Sequence, residues 1–273
     1  QAALGCSVQE IRLVDGRWQL VKPSRYARRV HGNTPMKIGG PAAGHPMMRT
    51  AASPTGREAF GTFNNCASGP TPWGTYLTCE ENFSFHFKAP PDATAMEERY
   101  ELSPKVRFSF RWGEADPRFD AGRNRNEPNH FGWVVEFDPY DPGSVPVKRT
   151  ALGRCSHEGA TYAICKDGRV AIYTGDDRAF EYLYKFVTAR PWNPNDRAAN
   201  RDLLDEGTLY VARCNADGSG EWVELTHGRN GLTAANGFDS QGAVAMYARA
   251  AGDTVGATKM DRPEWLAVDP QSG

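Results

Sequence analysis

The sequence predicts an all-β fold with a few short helices in its loops. Short runs rich in β-branched and aromatic residues recur along the chain, and Gly, Pro, Asp and Asn separate them. The 273 residues include 28 Gly and 19 Pro, a composition typical of globular chains with many turns. Runs of this kind, bounded by turn residues, predict β-strands.

Taken in chain order, eleven runs predict strands, at residues 18–21, 59–63, 73–78, 106–112, 132–138, 160–165, 169–174, 180–187, 208–213, 221–225 and 265–268. Lys166-Asp167-Gly168 separates the sixth run from the seventh. Asp-Gly supplies the positive φ angles that a tight turn requires. These two runs are therefore expected to form an antiparallel hairpin.

Helical patterns are confined to residues 93–101 and 195–204. Thr94 and Asn195 are the candidate N-caps, because their side-chain oxygens can accept from free backbone N–H groups. Such short helices would lie on the strands and would not build the core.

The connections between strands favour one arrangement of sheets. Hairpins alternate with longer loops at 88–105, 139–147 and 189–206, which fits a radial array of small sheets, a β-propeller, better than a closed barrel. No WD or kelch period is present, and periodicity alone does not separate a propeller from a sandwich. Since no composition shift marks a boundary, residues 1–273 are expected to form a single propeller domain.

Charge and hydropathy exclude several classes of partner. The chain has 32 basic and 33 acidic residues, so nothing favours a nucleic acid or an anionic membrane surface. No apolar run approaches the roughly 20 residues of a membrane helix. We expect a monomer that binds neither nucleic acid nor membrane.

Both ends of the chain are expected to be cut from something longer. The first residues, QAALGCSVQEIRLVDGRWQL, pass directly into a strand pattern without the basic and apolar regions of a secretory signal. The last residues, PEWLAVDPQSG, stop where a strand has just entered a turn. The residues alone leave open whether the protein is cytoplasmic or has lost a leader.

The six cysteines show neither a C-x-x-C pair nor zinc-finger spacing, which excludes a zinc ribbon. They are Cys6, Cys66, Cys79, Cys155, Cys165 and Cys214. A disulfide remains open, above all between the strand-borne Cys155 and Cys165.

The segment at 64–83, NNCASGPTPWGTYLTCEENF, is the strongest candidate for chemistry. Its predicted strand ends on Cys79, Glu80 and Glu81, a thiol beside two carboxyl groups. Because side chains of a strand alternate, Cys79 and Glu81 are expected on one face and Glu80 on the other. If several strand ends of this kind converge, they make a metal site.

Three further segments place charged groups at strand ends. They are RCSHEGA with His157 and Glu158, YTGDDRAFEY with Asp176, Asp177 and Glu181, and DRPEW with Arg262 and Glu264. Concentrated carboxylates favour a hard cation such as calcium, whereas a thiolate among them favours iron or zinc. Each residue alone also has a structural explanation, as a packed thiol, a solvated turn acid or a surface charge.

Resemblance to a known family joins these segments. NNCASGPTPWGTYLTCEENF, SHEGA, YTGDD, EYLYKF, DEGTLYVAR and RPEWLAVDP occur in the order found in the PhoX-type bacterial alkaline phosphatases, and GNTPMKIGGPAAGH is similar too. The resemblance covers about residue 18 to the last residue.

The resemblance implies a six-bladed propeller that is exported by the twin-arginine route to the periplasm or beyond. Its central pocket would hold iron and calcium and hydrolyse phosphomonoesters, with a metal-bound oxide or hydroxide as the nucleophile. Carried onto matching positions, Cys79, Glu158 and Glu264 would bind iron, and Arg262 would hold the substrate phosphate. Glu80, Asp176 and Asp177 would bind the remaining cations. The expected catalytic residues are Arg262, Glu158 and Glu264.

The sequence departs from the family pattern in two respects. Family members are about twice as long, so blades beyond residue 273, with their cation ligands, are expected to be absent from this chain. Cys155 stands where family members often have an aromatic residue.

Two rival functions stay open. One is a calcium-dependent propeller hydrolase such as a lactonase, and the other is a non-catalytic propeller that presents loops to a protein partner.

Overall fold

The structure, a computed structural model, describes residues 2–106 and 108–269. These residues form seventeen β-strands, most of them short. The strands are β1 (Cys6–Val8), β2 (Ile11–Val14), β3 (Arg17–Leu20), β4 (Arg28–Val30), β5 (Pro35–Gly39), β6 (Glu58–Phe60), β7 (Asn65–Pro70), β8 (Tyr76–Glu80), β9 (Val134–Phe137), β10 (Val147–Arg149), β11 (His157–Ile164), β12 (Val170–Asp176), β13 (Ala179–Glu181), β14 (Leu183–Thr188), β15 (Gly207–Cys214), β16 (Gly220–Glu224) and β17 (Met260–Asp261).

Helices are few and short. In the same residues the α-helices are α1 (Ala95–Arg99), α2 (Trp112–Ala115), α3 (Gln241–Met246) and α4 (Ala248–Thr254). The 3₁₀ helices are Pro46–Met48, Phe83–His86, Pro117–Phe119, Glu127–His130, Thr150–Leu152, Ala198–Asn200, Leu203–Asp205 and Ala234–Asn236. Over the part of the chain that is described, no helix has both the length and the apolar character needed to cross a bilayer.

Two sheets contain most of the strands. The first sheet has the order β6-β5-β10-β9-β8-β7 and is antiparallel except between β5 and β10. The second sheet, β11-β12-β14-β15-β16, is antiparallel throughout. The pairs β1–β4, β2–β3 and β13–β17 are separate two-stranded ribbons. The chain is therefore mostly β, with several sheets.

The two sheets approach each other closely where β7 faces β11. A Cβ atom on Gly69 would lie 2.0 Å from the carbonyl oxygen of Ala160, so only glycine allows this contact. Both strands are irregular nearby: the register shifts between Asn65 and Ser68 on β7 and between Glu158 and Thr161 on β11. β-Bulges of this kind redirect side chains.

Apolar residues from both sheets and from α3 and α4 form the largest core cluster. A second cluster covers the first sheet, where Met36, Ile38 and Val135 pack with Met48 and Met246 from neighbouring helices. A third, mostly aromatic cluster centres on Phe63 and supports the long connection between β8 and β9.

Nine of the eleven predicted strands overlap observed strands, and the hairpin at 166–168 is confirmed, with the Cys165 N–H donating to Arg169 O at 2.8 Å. The run at 180–187 is divided between β13 and β14. The prediction at 265–268 is wrong: this segment has no regular secondary structure and pairs with no strand among the described residues, although Thr161 Oγ1 donates to Leu266 O at 2.8 Å.

The strand predicted at 106–112 is also wrong. Residue 107 lies outside the described residues, and the described part of this run forms no strand before α2 begins. Its apolar side chains alternate as in a strand, but Phe108 packs edge to face on Phe85 and Phe110, and the Phe110 ring is tilted against His86. A backbone bond from the Phe110 N–H to Phe85 O at 2.8 Å and aromatic packing hold the described part of this run without a strand ladder.

The helix prediction at 93–101 is confirmed, with Thr94 and Glu97 forming a capping box at α1. Residues 195–204 instead form two separate 3₁₀ turns. Helices α3 and α4 were not predicted, although the Ser240 side chain accepts from Ala243 N–H at the start of α3.

All six cysteines are free thiols. Cys155 lies in the core, where its sulfur is 3.4 Å from His157 Nδ1. The disulfide that the sequence left open between Cys155 and Cys165 is therefore not formed.

Candidate metal centre

Two groups of metal-ligating side chains meet beside the contact between the sheets. The cysteine group is Cys66, Glu81 and Glu158, and the acid group is Glu158, Asp177 and Glu264. Within each group, one ligand atom per residue lies within 4.8 Å of the others. Glu158 belongs to both groups, so the two form one continuous centre.

Backbone irregularity places the cysteine group. Cys66 lies in the bulge of β7, Glu158 lies at the bulge of β11, and Glu81 follows the last residue of β8. Regular strands would send neighbouring side chains to alternate faces. The bulges and the strand end instead turn these three side chains toward one point.

Two segments beside the start of β11 supply the other residues of the acid group. Asp177 follows β12, and its N–H donates to Ser156 O at 2.9 Å. Glu264 belongs to the extended segment that packs on Gly175, where an added Cβ would lie 2.5 Å from Pro263 O and 2.6 Å from Glu264 O. This glycine permits the close approach that brings Glu264 to the centre.

The centre brings four carboxyl groups and a thiol close together. Burial, reinforced by the charges of Glu158 and Asp177, raises the pKa of Glu81 to about 7. Burial also raises the pKa of Glu158, with Asp177 and Glu264 adding to the effect. Partial desolvation beside Glu158 and Glu81 raises the pKa of the Cys66 thiol to about 12.

These side chains fit a bound cation. Glu158 Oε2 is buried and has no hydrogen-bond partner among the described residues. A sulfur with two carboxylates suits iron or zinc, and three carboxylates suit a harder ion such as calcium. A cation would supply the partner that Glu158 lacks and would favour the ionised form of each ligand.

Arg262 lies at the edge of the centre. It has a positive φ of 59°, and its Nε and Nη2 donate to Asp177 Oδ1 and Oδ2 at 2.8 and 2.7 Å. Nη2 is also 3.6 Å from Glu264 Oε1. Its side chain is 55% exposed, so the guanidinium faces both the acids and solvent.

The structure thus brings together five residues singled out in the sequence: Glu81, Glu158, Asp177, Arg262 and Glu264. Cys79 does not join them. It is fully buried on β8, opposite Val134, inside the largest apolar cluster, and burial raises its pKa well above the usual value. The cysteine beside Glu81 and Glu158 is Cys66.

Glu80 and Asp176 lie outside both groups, and each forms a buried ion pair with a cationic side chain of the protein. Glu80 Oε1 accepts from Lys148 Nζ at 2.6 Å, and Oε2 accepts from the backbone N–H groups of Gly132 and Trp133. Asp176 accepts from Arg249 through both oxygens at 2.7 Å. Neither acid joins the potential ligands found among the described residues, and the expectation that Glu80 and Asp176 bind the remaining cations stays a prediction.

Sequence reasoning did not assign Cys66 and Glu81 as ligands, although both lie in the segment at 64–83. Cys66 follows Asn64-Asn65, and Asn64 has a positive φ of 54°. An Asn pair before a strand is a signal for such irregular backbone. Glu81 lies just past the end of β8, so the alternation that paired it with Cys79 does not apply there.

Comparison with known proteins agrees with these motifs. The family model for alkaline phosphatase PhoX matches residues 1–273. The structure of Pseudomonas fluorescens PhoX in complex with vanadate, a transition state analogue, is 52% identical, with a TM-score of 0.94 over 98% of this chain. This chain spans 48% of that protein, about half its length. No curated protein matches the chain. On the family match and the shared architecture together, the chain belongs to the PhoX alkaline phosphatase family.

Proposed function

We propose that the protein is a metal-dependent phosphomonoesterase, an alkaline phosphatase, with its reaction centre at the cysteine and acid groups. One observation carries the proposal: four potential ligands, Cys66, Glu81, Asp177 and Glu264, converge on Glu158, with Arg262 beside them. The family match and the vanadate bound by the similar Pseudomonas fluorescens structure support it.

The proposed cations are iron and calcium. The sulfur of Cys66 among carboxylates favours iron at the cysteine group, and the all-oxygen acid group favours calcium. When bound, such cations stabilise negative charge on a phosphoryl group and its leaving oxygen. The family resemblance points to the same two metals.

Arg262 is the proposed phosphate-binding residue. A guanidinium offers a planar set of donors that matches phosphate oxygens. Its bonds to Asp177 use Nε and Nη2, and these bonds orient the guanidinium over the acid group. The side chain is anchored on one edge and open to solvent on the other.

The proposal also covers the fold, the oligomeric state and the localisation of the protein. We propose that the sheets are blades of a β-propeller, that residues 1–273 belong to one propeller domain, and that the protein acts as a monomer after export to the periplasm. The antiparallel second sheet and its close contact with the first sheet support the propeller. Export and propeller blades are also what the family resemblance implies.

Two substitutions in the full-length protein test the proposed roles. Glu264→Ala should lower bound metal and p-nitrophenyl phosphate hydrolysis together, because it removes a ligand. Arg262→Ala should keep the metal and lower kcat/KM roughly 10- to 100-fold, the value of charge-assisted hydrogen bonds, mostly through a higher KM. Metal analysis and steady-state kinetics measure both effects.

Glu221→Gln is the control, because Glu221 pairs with Arg213 on the exposed face of β16 and should change neither quantity. Wild-type activity in both Glu264→Ala and Arg262→Ala would contradict the proposal. Purification without metal would favour a non-catalytic scaffold, and cleavage of lactones without phosphatase activity would favour the lactonase.

A further inference from the structure

We propose that Arg249 is a positioning residue for the candidate metal centre. Resting on the proposed function, the inference is that Arg249 ties together the two chain segments that carry Glu158 and Asp177. Arg249 itself touches neither of these ligands in the hydrogen bonds it forms, and it comes from α4, a helix distant in sequence from both.

The contacts of Arg249 end beside both ligands. Its Nε and Nη2 donate to the two oxygens of Asp176 at 2.7 Å each, and Nη2 also donates to Ser156 Oγ at 3.2 Å. Asp176 immediately precedes Asp177, and Ser156 is two residues before Glu158. The guanidinium of Arg249 thus binds both chain segments within two residues of Glu158 and Asp177.

Main-chain bonds close this arrangement into a ring. The Ser156 N–H donates to Asp176 Oδ1 at 3.0 Å, and the Asp177 N–H donates to Ser156 O at 2.9 Å. The side chains of Asp176, Ser156 and Arg249 are all buried. A shift of any one member therefore moves the backbone that sets the spacing between Glu158 and Asp177.

Arg249 is held from its other side as well. Nη1 donates to Arg99 O at 3.0 Å, the guanidinium lies 4.9 Å from the centre of the Tyr100 ring, and Nε is 3.9 Å from Glu181 Oε2. The side chain is only 2% exposed. Because Arg249 is held on every side, it can fix the positions of the neighbouring metal ligands.

A purely structural role would look different. Buried ion pairs are weak evidence for a contribution to stability, since desolvation offsets their attraction. Arg149 provides the comparison: it is equally buried and pairs with Glu136 and Asp205, yet these partners adjoin no residue of either group. The placement of its partners, and not burial as such, distinguishes Arg249.

The test compares Arg249→Lys, Ser156→Ala and the control Arg149→Lys in the full-length protein. After removal of metal with a chelator, the calcium dissociation constant is measured by calorimetry, with the urea unfolding midpoint and steady-state kinetics measured alongside. We expect Arg249→Lys to weaken calcium binding about 10- to 100-fold, the usual effect of removing a group that orients a ligand. Ser156→Ala should act in the same direction but less, and Arg149→Lys should lower the unfolding midpoint without changing calcium affinity.

Unchanged calcium affinity in both Arg249→Lys and Ser156→Ala would overturn the inference, as would an equal loss in Arg149→Lys. If Arg249→Lys does not fold, Ser156→Ala decides, because it removes one hydrogen bond and no charge. Failure of the proposed function is a separate result: the wild-type protein would then bind no calcium and hydrolyse no p-nitrophenyl phosphate.

Discussion

Two cysteines of one short segment have opposite environments. Cys66 is exposed at the bulge of β7, beside Glu81 and Glu158, whereas Cys79 is enclosed by apolar side chains. A metal binds the thiolate form, which a cation stabilises directly and an apolar enclosure disfavours. The surroundings of each thiol in the fold therefore decide which of the two can bind a metal, although both belong to the same short segment.

Substitution of each cysteine by serine separates the two roles. Cys66→Ser should lower the iron content of the purified protein at least roughly tenfold with little change in stability, because it removes the soft ligand. Cys79→Ser should retain the iron but lose about 1–3 kcal/mol of unfolding free energy, since it buries a hydroxyl group without a partner. Metal analysis and urea unfolding report the two quantities, and the reverse pattern would restore Cys79 as the ligand.

The sequence predicted only part of the candidate centre. The positions of Glu158, Asp177, Arg262 and Glu264 at strand ends made them candidates, and the family resemblance assigned their roles. Glu80 and Asp176 looked the same in sequence, but Lys148 and Arg249 neutralise them from distant elements. The ion-pair partner of a carboxylate cannot be identified from a single sequence when the partner lies on a distant element.

At the scale of elements, the segment from Arg262 to Glu264 depends on the strand beneath it. It crosses β12 at Gly175, where backbone atoms of Pro263 and Glu264 occupy the space of a Cβ. An ordinary contact needs about 3.4 Å, so alanine at this position would displace the segment by about 1 Å. Glu264 and Arg262 would both move.

Gly175→Ala should therefore reduce phosphatase activity roughly 100-fold, the scale expected when a functional group is misplaced by about 1 Å. Calcium affinity should fall as well, while the far-ultraviolet circular dichroism spectrum stays that of the wild-type protein. Gly143→Ala is the matched control, because Gly143 is exposed and an added Cβ would meet only Asp141 Oδ1, at 3.4 Å. Full activity in Gly175→Ala would show that the contact is not needed.

Prediction of the elements succeeded where side-chain pattern and backbone pairing coincide. The hairpin around Gly168 and the capped helix at Thr94 carry their own turn and cap residues, so local chemistry determines them. The run at 106–112 has a strand pattern without a strand, because its rings pack on one another. Helices α3 and α4 are stabilised mainly by burial against the sheets, which a short window of sequence does not reveal.

At the scale of the whole molecule, the charge of the centre links stability to pH. The pKa of Glu81 is raised from its ordinary value of 4.5 to about 7 in the folded chain, mainly by burial. Between these pH values the folded state binds more protons than the unfolded state, so unfolding free energy falls as pH rises. Buried His86 and His157, with pKa values lowered to about 4 by desolvation, have the opposite effect below pH 6.5.

Comparison with Glu81→Gln isolates the contribution of the acid. In metal-free protein, Glu81→Gln should gain stability relative to wild type as pH rises from 5 to 8, because it removes the cost of ionising Glu81. The histidines contribute equally to both proteins and cancel in the difference. Urea unfolding with a chelator at pH 5, 6, 7 and 8 measures this difference, and a value constant across pH would contradict the assignment.

Membership of Glu158 in both groups has a consequence for how the centre can change. A substitution that adjusts the cysteine group also alters the carboxylate on which the acid group depends. Neither half can be retuned for another ion in isolation, so adaptation to a new metal supply would require concerted changes across several strands. The shared carboxylate of Glu158 thus couples the two groups, so a change in one is expected to alter the other.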